Sequence, residues 1–451
     1  MVFLSYGHST SSGHGEYYRT MNALLRTLLY EWKDRKLPLT IGRDTHLDTS
    51  KQEPNNATVI TGFRRVGKTY LLYEAIEKLL ETYSRDEVVY INFEDERIIT
   101  PTTNLLTDLL PEIQAVFGKK PKYLFLDELQ LISHWSKWVR RILDAESIQL
   151  FITGSSSKMS SSELPTELRG RAWEVKVSPL TFKEFLRFKK ETIDFKKLAF
   201  VKDEMARFRF LFDEYITFGA LPAVVLTSTE KKQELLQSYF QTVVQKDISE
   251  RYNIDNDTAL KTLLKLLLNS SYITISKLTN TLKSMSISVG KSTIDKYLLY
   301  IESSYFMNEL YVHSPVVINQ LQYPRKVYFI DTGFMTALST KFSKNTGRLF
   351  ENMVFQELAR SGETIHYYKD DKGNEVDFAI LKDNKVAALY QACFDLADEE
   401  TRNREVKSLI KAGTTLHCQN LILVTLEKPD ILQLPKEIKV LSAIEFLTLH
   451  N

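Results

Sequence analysis

Length, composition and charge limit what this chain can be. Its 451 residues can form roughly two to four domains with buried cores, and 43% hydrophobic and 26% charged residues are ordinary for a globular protein. The net charge of +2 is too small to indicate nucleic-acid binding, so such affinity must come from local patches. Two cysteines, Cys393 and Cys418, exclude a disulfide framework and a cysteine-rich metal cluster. Because the sequence also lacks a signal peptide and the roughly 18-residue apolar stretch of a membrane span, we expect a cytoplasmic protein without a membrane partner.

The chain begins with a helical segment and continues as an alternating α/β region. Residues 17–36 have helical periodicity and lead into a polar connector, which predicts an N-terminal segment over 1–50. From about 57 to 189, strand-like and helix-like stretches alternate, as in a parallel sheet. We therefore expect an α/β core over 51–190.

The most specific motif runs from Gly62 to Thr69 and fits G-x-x-x-x-G-K-S/T, the phosphate-binding P-loop. It follows the apolar run ATVI and precedes a helix-like stretch, which is the context that the motif requires. Lys68 is expected to reach the β- and γ-phosphates of a nucleoside triphosphate, and the Thr69 hydroxyl to hold Mg²⁺. The structural alternative is a glycine-containing turn capped by the threonine. The predicted nucleotide contacts are Gly62, Phe63, Arg64, Arg65, Val66, Gly67, Lys68, Thr69 and Tyr70.

An acidic strand supports this prediction. Residues 122–128 read KYLFLDE, an apolar run that ends in two carboxylates. Asp127 is suited to the Mg²⁺ shell, and Glu128 should point the other way along the pleat and polarise the attacking water. Strands also end in solvated acids at turns, which is the alternative.

Two more strand-like runs complete the predicted core. One, at 88–95, lies between the P-loop and the acidic strand, and the other spans 148–157. An inserted strand and a glutamate beside the metal aspartate are typical of ATPases that activate water with their own carboxylate. Thr153 and Ser155, at the end of the later run, are candidates for a γ-phosphate sensor or for capping the next helix.

Sequence patterns typical of helices dominate from 195 to 255, and they predict a helical lid over 191–256. Three short amphipathic helices and two strand-like runs follow, the order of a winged helix, over 257–340. Its third helix, Lys291–Ser304, would be the one that enters a DNA groove. Winged helices also serve as protein-interaction and packing modules, so both roles remain open. The candidate DNA contacts, through phosphates, are Lys277, Lys283, Lys291 and Lys296.

The last module, 341–451, has the helix-then-sheet order of a nuclease core. In such a core Glu351, Asp377 and the acid of an E-x-K motif would hold Mg²⁺, while the lysine assists the attacking water. Here the third motif reads Gln391-Ala392-Cys393, and cysteine cannot replace the charge of a lysine. We therefore expect a degenerate site of Glu351, Asp377 and Gln391 that does not cut DNA. Lys407 is the nearest replacement that the sequence offers.

Taken together, these segments resemble predicted archaeal and bacterial AAA-superfamily ATPases that carry a C-terminal PD-(D/E)XK nuclease-like domain. The resemblance implies a P-loop sheet of the AAA+ (ASCE) type with a helical lid, a winged helix and a C-terminal restriction-endonuclease-like α/β domain. It also implies roles for Lys68, Thr69, Asp127 and Glu128, and ATP with Mg²⁺ as ligands. The segments that carry it include TGFRRVGKTYLL, YINFEDERI, YLFLDELQ, FITGSSSKM, ELRGRAWEVKVSPLTFKEF, YITFGALPAVV, KDISERYNI, PRKVYFIDTGF, GRLFENMVFQEL and GNEVDFAI.

The same resemblance raises the question of partners. In the family element LRGR, Arg169 and Arg171 are candidates to reach the γ-phosphate of a neighbouring subunit, which would require a homo-oligomer. The alternative is that both pair with nearby acids such as Glu163, Glu167 or Glu174. The leading expectation is an ATPase whose conformational change acts on duplex or branched DNA. The alternatives are a nucleotide-dependent switch that binds a protein and an ATP-gated, metal-dependent nuclease.

Overall fold

A computed structural model describes most of the chain, and its contacts divide the chain into two compact units. The first unit comprises residues 1–62 and 67–177, and the second comprises 63–66 and 178–451. Among the residues described, no helix combines the length and the apolar character needed to cross a membrane. The described residues are 12–50, 56–99, 102–155, 159, 166–195, 197–198, 200–338, 346–428 and 434–449.

A parallel sheet forms the centre of the first unit. Its order is β2-β3-β4-β1-β5, with every neighbouring pair parallel. The apolar runs ATVIT and YLFLD are buried at every position, as expected for strands covered on both faces. Because the strands are parallel, their carboxyl ends meet at one edge of the sheet. The strands are β1 (Ala57–Thr61), β2 (Val88–Asn92), β3 (Tyr123–Asp127), β4 (Gln149–Thr153) and β5 (Ala172–Lys176).

The order of the strands refines the expectation of an inserted strand. The strand that precedes the acidic strand in sequence, β2, lies at the edge of the sheet. The strand that separates β1 from β3 in space is β4, which comes later in the chain. The end of β4, with Thr153, therefore lies beside both the P-loop strand and the acidic strand.

Four α-helices accompany this sheet in the residues that the structure describes. The first packs against the third and beside β2. Trp32, near its end, is buried and donates a hydrogen bond from Nε1 to the Val88 carbonyl at 2.9 Å. This bond fixes the N-terminal helix to the edge strand. The helices are α1 (Ser12–Asp34), α2 (Lys68–Leu80), α3 (Thr103–Phe117) and α4 (Trp135–Ala145).

The second unit continues from residue 178 as a series of helices, the first of which lies within the range 51–190 that the sequence assigns to the core, while the later ones lie in the range predicted as a lid, 191–256. Thr181 starts the first of them with a capping box, in which its hydroxyl accepts from the Glu184 amide and the Glu184 carboxylate accepts from the Thr181 amide. Phe182, Phe208 and Tyr215 pack ring against ring in the core of this region. The helices are α5 (Phe182–Lys189), α6 (Lys202–Phe218), α7 (Pro222–Leu226) and α8 (Thr229–Thr242), followed by a π-helical stretch, Val243–Glu250.

The next part contains the three helices and the antiparallel strands expected from sequence. Their sheet has the order β6-β8-β7. The short strand β6, the helix α13 after β8 and a short helix between β7 and β8 were not expected. Because of that short helix, β7 and β8 are not joined by a tight turn. Whether this part acts as a winged helix stays a prediction. The elements are α9 (Asp257–Leu268), β6 (Tyr272–Ile273), α10 (Ile275–Ser284), α11 (Lys291–Ser303), β7 (Met307–Leu310), α12 (Val317–Gln322), β8 (Arg325–Phe329) and α13 (Thr332–Leu338).

A buried carboxylate follows β8. Asp331 accepts hydrogen bonds from the backbone amides of Ala220 at 2.7 Å and Gly333 at 2.8 Å. Burial raises the pKa of Asp331 to about 6, against the opposing effect of these two amides. Asp331 thus joins the end of α6 to the start of α13.

The C-terminal part is a five-stranded mixed sheet in the described residues. Its order is β13-β12-β11-β10-β9, with antiparallel pairing among β9, β10 and β11 and parallel pairing among β11, β12 and β13. Both cysteines are buried in its core. The elements are α14 (Thr346–Ala359), β9 (Thr364–Lys369), β10 (Glu375–Lys382), β11 (Lys385–Ala392), α15 (Glu399–Thr415), β12 (Leu421–Thr425), β13 (Ile438–Ser442) and α16 (Ala443–Leu449).

Within the second unit, polar contacts cross the module boundary that the sequence suggests near residue 340. Arg348 of α14 donates to the carbonyls of Leu267 and Ser270, where α9 ends. The Tyr272 hydroxyl of β6 donates to Glu375 of β10. These contacts tie the three-stranded sheet to the C-terminal sheet.

Candidate nucleotide-binding site

The P-loop starts where β1 ends and finishes where α2 begins, as its sequence predicts. Gly62 has φ 138°, and a Cβ placed on it would lie 2.2 Å from the Val177 carbonyl oxygen. Gly67, directly before α2, has φ 99°. Both backbone conformations are ones that residues with side chains rarely adopt. The glycines of the motif are therefore required by geometry, Gly62 most strictly.

Lys68 is held at the start of α2 with its ammonium pointing back along the loop. Its side chain is 5% exposed, and Nζ donates a hydrogen bond to the Gly62 carbonyl at 3.0 Å. The same Nζ lies 3.9 Å from Glu128 Oε1. A buried cation in this position can accept the charge of a phosphate.

Asp127 lies at the end of β3 and is surrounded by hydroxyl donors. Its Oδ2 accepts from Thr69 Oγ1 at 2.8 Å and from Tyr90 Oη at 2.9 Å, and its Oδ1 accepts from Thr153 Oγ1. Burial, and next the charge of Glu128, raise the pKa of Asp127, while the three hydroxyls lower it. A carboxylate beside a threonine hydroxyl offers the hard oxygen ligands that Mg²⁺ takes, so Asp127 and Thr69 fit this ion.

Glu128 differs from the sequence expectation in its backbone. It lies beyond the strand in the left-handed conformation with φ 55°, so alternation along the pleat does not set its direction. Its amide donates to Thr153 Oγ1 at 2.9 Å, and its carboxylate accepts from the Gln130 amide. A non-glycine residue in this conformation carries strain of the kind found at functional sites.

Thr153 and Ser155 have different surroundings. Thr153 contacts both acidic residues at the end of β3, donating to the Asp127 carboxylate and accepting from the Glu128 backbone amide. Ser155 is buried, and its hydroxyl has no hydrogen-bond partner among the residues that the structure describes. The Thr153 hydroxyl is therefore already hydrogen-bonded to Asp127 and Glu128, whereas the Ser155 hydroxyl is available for another partner.

The two arginines of LRGR have different environments as well. Arg171 forms an ion pair with Asp144 of α4, and this acid is not among those that the sequence suggested. Of those acids, Glu174 accepts a hydrogen bond from Thr61 at 2.6 Å, and Glu163 lies outside the described residues. Arg169 is exposed.

The middle of the P-loop, Phe63–Val66, groups with the second unit. There, Arg64 Nε lies 2.7 Å from Oδ2 of Asp247, and the same carboxylate meets Arg251 at 3.2 Å. Arg65 lies over the ring of Tyr239, 5.1 Å from its centroid. Sequence analysis missed Asp247, which lies in the π-helical stretch, a conformation that often marks functional sites.

The four candidate DNA-contacting lysines are exposed. Lys277 and Lys283 lie on α10, and Lys291 and Lys296 lie on α11. Tyr70, the last of the predicted nucleotide contacts, is also exposed, at 53%.

The residues Glu351, Asp377 and Gln391, predicted from sequence as a degenerate nuclease-like site, come together, but around a lysine from another element. Lys326 of β8 places Nζ 2.7 Å from Asp377 Oδ1 and 3.0 Å from Glu351 Oε1. The side-chain oxygen Oε1 of Gln391 accepts from the Asp377 backbone amide at 3.2 Å, and Nε2 of the same side chain donates to Glu405. Lys407, the replacement suggested by the sequence, is exposed on α15. That suggestion was wrong: the lysine at this cluster comes from β8.

Comparison with known proteins gives the chain a family. Residues 54–186 match a family model described as an AAA domain, and residues 209–345 and 346–433 each match a domain of unknown function. The uncharacterized protein MJ1544 of Methanocaldococcus jannaschii is 37% identical over 396 residues, which cover 85% of this chain and 84% of that protein. This chain belongs to the same family. An uncharacterized protein of Haemophilus influenzae is 28% identical over 355 residues, covering 76% of this chain and 84% of that protein.

Solved structures give weaker matches. The Walker-type ATPase of Pyrococcus abyssi matches with a TM-score of 0.44 at 13% identity, over 62% of this chain and 90% of that one. The Aeropyrum pernix ORC2 protein, solved in ADPNP–ADP complexes, matches with a TM-score of 0.38 at 12% identity, over 78% and 95%. At these scores neither match bears on the function of this chain. The AAA domain and the P-loop in its parallel sheet identify the first unit as a P-loop domain of the AAA type.

Tyr90, Asp247 and Lys326 are among the residues with defined contacts that were not predicted from sequence. A signal existed for two of them. A tyrosine in the otherwise apolar run VVYI must find a partner for its hydroxyl if it is buried. In KVYFID, alternation puts Lys326 and Tyr328 on one face, so a lysine faces inward with a tyrosine.

Proposed function

We propose that this chain binds ATP with Mg²⁺ at the P-loop and hydrolyses it. The observation that carries the proposal is the arrangement of Lys68, Thr69, Asp127 and Glu128 at the ends of β1 and β3 within an AAA domain. Each residue type matches a need of phosphoryl transfer, in which catalysis is largely positioning and charge stabilisation.

The roles follow from the contacts. Lys68 exchanges its bond to the Gly62 carbonyl for the β- and γ-phosphate oxygens. Thr69 and Asp127 hold Mg²⁺, which when bound neutralises charge on the phosphates. Tyr90 and Thr153 orient the Asp127 carboxylate from the side of the sheet.

Glu128 is the proposed general base for the attacking water. Its carboxylate lies near Lys68 and accepts a hydrogen bond from Gln130, so its orientation is set by two neighbours. Thr153 fixes its backbone amide. Ser155, with its unused buried hydroxyl, is the proposed contact for the γ-phosphate.

Two substitutions test binding and hydrolysis separately. Lys68→Ala should weaken ATP binding, measured by calorimetry with the catalytic step slowed by Ca²⁺ in place of Mg²⁺. Lys78→Ala, an exposed lysine of the same helix, is the matched control. An affinity within about threefold of the parent, less than about 1 kcal/mol, would remove the P-loop assignment.

Glu128→Gln should keep ATP and lose turnover, by about 10²–10⁴-fold for a lost general base. The exposed Glu81→Gln gives the control. Comparable steady-state turnover in Glu128→Gln and the parent would exclude Glu128 as the base.

A role on DNA is a further part of the proposal, supported by the four exposed lysines of α10 and α11. Phosphate contacts by these lysines should make affinity fall by nearly one log unit per log unit of salt for each phosphate neutralised. Lys291→Glu with Lys296→Glu should weaken binding to all DNA sequences alike. The control, Lys261→Glu with Lys265→Glu on the exposed face of α9, changes the net charge equally. Equal affinities of the parent and the α11 variant would leave the protein-binding switch as the better proposal.

An arginine supplied in trans is the proposed role of LRGR. The ion pair of Arg171 with Asp144 makes the exposed Arg169 the better candidate. Mixing Lys68→Ala with Arg169→Ala protein should restore part of the turnover if subunits share sites. Absence of rescue at every ratio, together with a monomeric mass in ATP, would refute a shared site.

A further inference from the structure

The second unit contains a buried ammonium enclosed by carboxylates. The Lys326 side chain is 4% exposed, and its Nζ lies 2.7 Å from Asp377 Oδ1, 3.0 Å from Glu351 Oε1 and 3.0 Å from Glu375 Oε1. The four residues come from three elements, β8, α14 and β10. A single cation thus bridges acids that are far apart in the chain.

The surroundings suit an ammonium. Nζ lies 5.4 Å from the ring centroid of Tyr272 and 5.9 Å from that of Tyr367, distances at which an aromatic face attracts a cation. The Tyr328 hydroxyl donates to Glu351 at 2.6 Å. Burial lowers the pKa of Lys326, but Asp377 and Glu351 outweigh it and raise the pKa well above its ordinary value. Three carboxylate oxygens within 3.0 Å of Nζ favour the charged form of this lysine.

Several oxygens that a nuclease-type metal ion would use already accept hydrogen bonds. Asp377 Oδ1 and Glu351 Oε1 accept from Lys326, and Asp377 Oδ2 accepts from the Ala392 amide at 3.0 Å. The side-chain oxygen Oε1 of Gln391 accepts from the Asp377 backbone amide. A divalent ion placed between Glu351 and Asp377 would meet the ammonium, so these residues do not fit a metal while Lys326 is there.

We propose that Lys326 takes the place of the metal ion in this nuclease-like module, as a built-in cation that bridges Glu351 and Asp377. The module is then metal-independent and does not cleave nucleic acid. Its acids instead bind the lysine of β8 and so dock the C-terminal sheet to the three-stranded sheet. Because Lys326 belongs to β8, this role depends on a residue outside the module that carries the acids.

The proposal predicts that removing the lysine creates a divalent-ion site. Lys326→Met keeps an unbranched side chain, one heavy atom shorter, and leaves the buried acids without their cation. Breaking a buried pair in this way is strongly destabilising. In nucleotide-free protein and metal-free buffer, the variant should unfold at a lower temperature than the parent. Addition of Mn²⁺ should restore much of the lost unfolding temperature. The variant should also bind one Mn²⁺ ion more than the parent, as counted by electron paramagnetic resonance.

Two further variants make the result specific. Lys326→Met combined with Asp377→Asn should lose the additional Mn²⁺ site, since one of its ligands is gone. Lys385→Met, an exposed lysine at the start of β11, should behave as the parent does. If Lys326→Met binds no more Mn²⁺ than the parent, or if Mn²⁺ does not raise its unfolding temperature, the proposal is overturned.

A second comparison works even if Lys326→Met does not fold. Parent and Asp377→Asn protein should bind the same number of Mn²⁺ ions, and neither should cleave DNA with Mg²⁺ or Mn²⁺. An ion or a cleavage activity that the parent has and Asp377→Asn lacks would show that the site takes metal with the lysine present. That result would overturn the proposal and favour an active nuclease.

Discussion

Tyr90→Phe tests whether the β2 tyrosine controls the metal ligand of the proposed ATPase. Tyr90 is 3% exposed, and its hydroxyl donates to Asp127 Oδ2 at 2.9 Å. Behind it, the Tyr73 hydroxyl donates to Tyr90 at 3.3 Å, and Arg35 donates to Tyr73 at 3.0 Å. The substitution removes one oxygen atom and leaves the packing of the ring intact.

The expected magnitude follows from this single bond. A hydrogen bond to a charged acceptor contributes about 1.5–3 kcal/mol. Loss of a residue that orients a metal ligand typically costs about 10–100-fold in metal affinity, which is a similar free energy. We therefore expect the Mg²⁺ concentration for half-maximal ATP turnover to rise about 10–100-fold in Tyr90→Phe. Turnover at saturating Mg²⁺ should return to nearly the parent value, because the variant retains Glu128 and Lys68.

The assay is steady-state ATP hydrolysis over a Mg²⁺ titration at several pH values. The Tyr90 hydroxyl lowers the pKa of Asp127, so the pKa of this carboxyl should be higher in the variant. An acid with a higher pKa needs a higher pH to become the charged ligand, so the Mg²⁺ deficit should shrink as pH rises. Tyr83→Phe, whose ring packs on Tyr123, is the matched control. An unchanged Mg²⁺ dependence, or a turnover that saturating Mg²⁺ does not restore, would refute the role of Tyr90.

Two other predictions concern glycine geometry and a buried acid. Gly62→Ala should abolish nucleotide binding in a filter or calorimetric assay, because its Cβ meets the Val177 carbonyl, whereas Gly118→Ala, at φ 75° in open space, should leave binding unchanged. Similar binding by both variants would refute the steric argument. Asp331 has a folded-state pKa of about 6 against an ordinary 3.8, so its contribution to stability is greatest at low pH and falls as pH rises through this interval. Hydrogen exchange over residues 215–225 measures the free energy of local opening in the parent and in Asp331→Asn. Between the two ends of that pH interval, the free energy of the parent should fall by about 3 kcal/mol relative to that of the variant. A difference between the two proteins that does not change with pH would contradict the raised pKa.

The P-loop could be predicted from sequence because its requirements are local. Gly62, Gly67, Lys68 and Thr69 are contiguous, and the backbone between a strand and a helix fixes where they point. The position of Asp127 and Glu128 at the end of an apolar strand could be predicted from sequence in the same way. The left-handed backbone of Glu128 was not, because alternation along a strand stops where the strand does.

The partners of these residues could not be read in the same way. Tyr90 reaches Asp127 only because β2 and β3 pair in register, with Asn92 beside Asp127. Lys326 meets its acids through an arrangement of β8, α14 and β10 that no local pattern encodes. A buried lysine in an apolar strand signals that counter-charges exist, but which acids supply them depends on the tertiary fold.

The contacts that cross residue 340 within the second unit have a practical consequence for dissecting this protein. A chain cut there would separate Lys326 from the acids that pair with it. It would also remove the Arg348 guanidinium, which donates to carbonyls at the end of α9. Each isolated piece would then expose polar groups that are paired in the whole unit. We therefore expect limited proteolysis to yield few stable fragments from residues 200–338. Genetic exchange of the C-terminal part between relatives would succeed only when the β8 lysine and its acids are exchanged together.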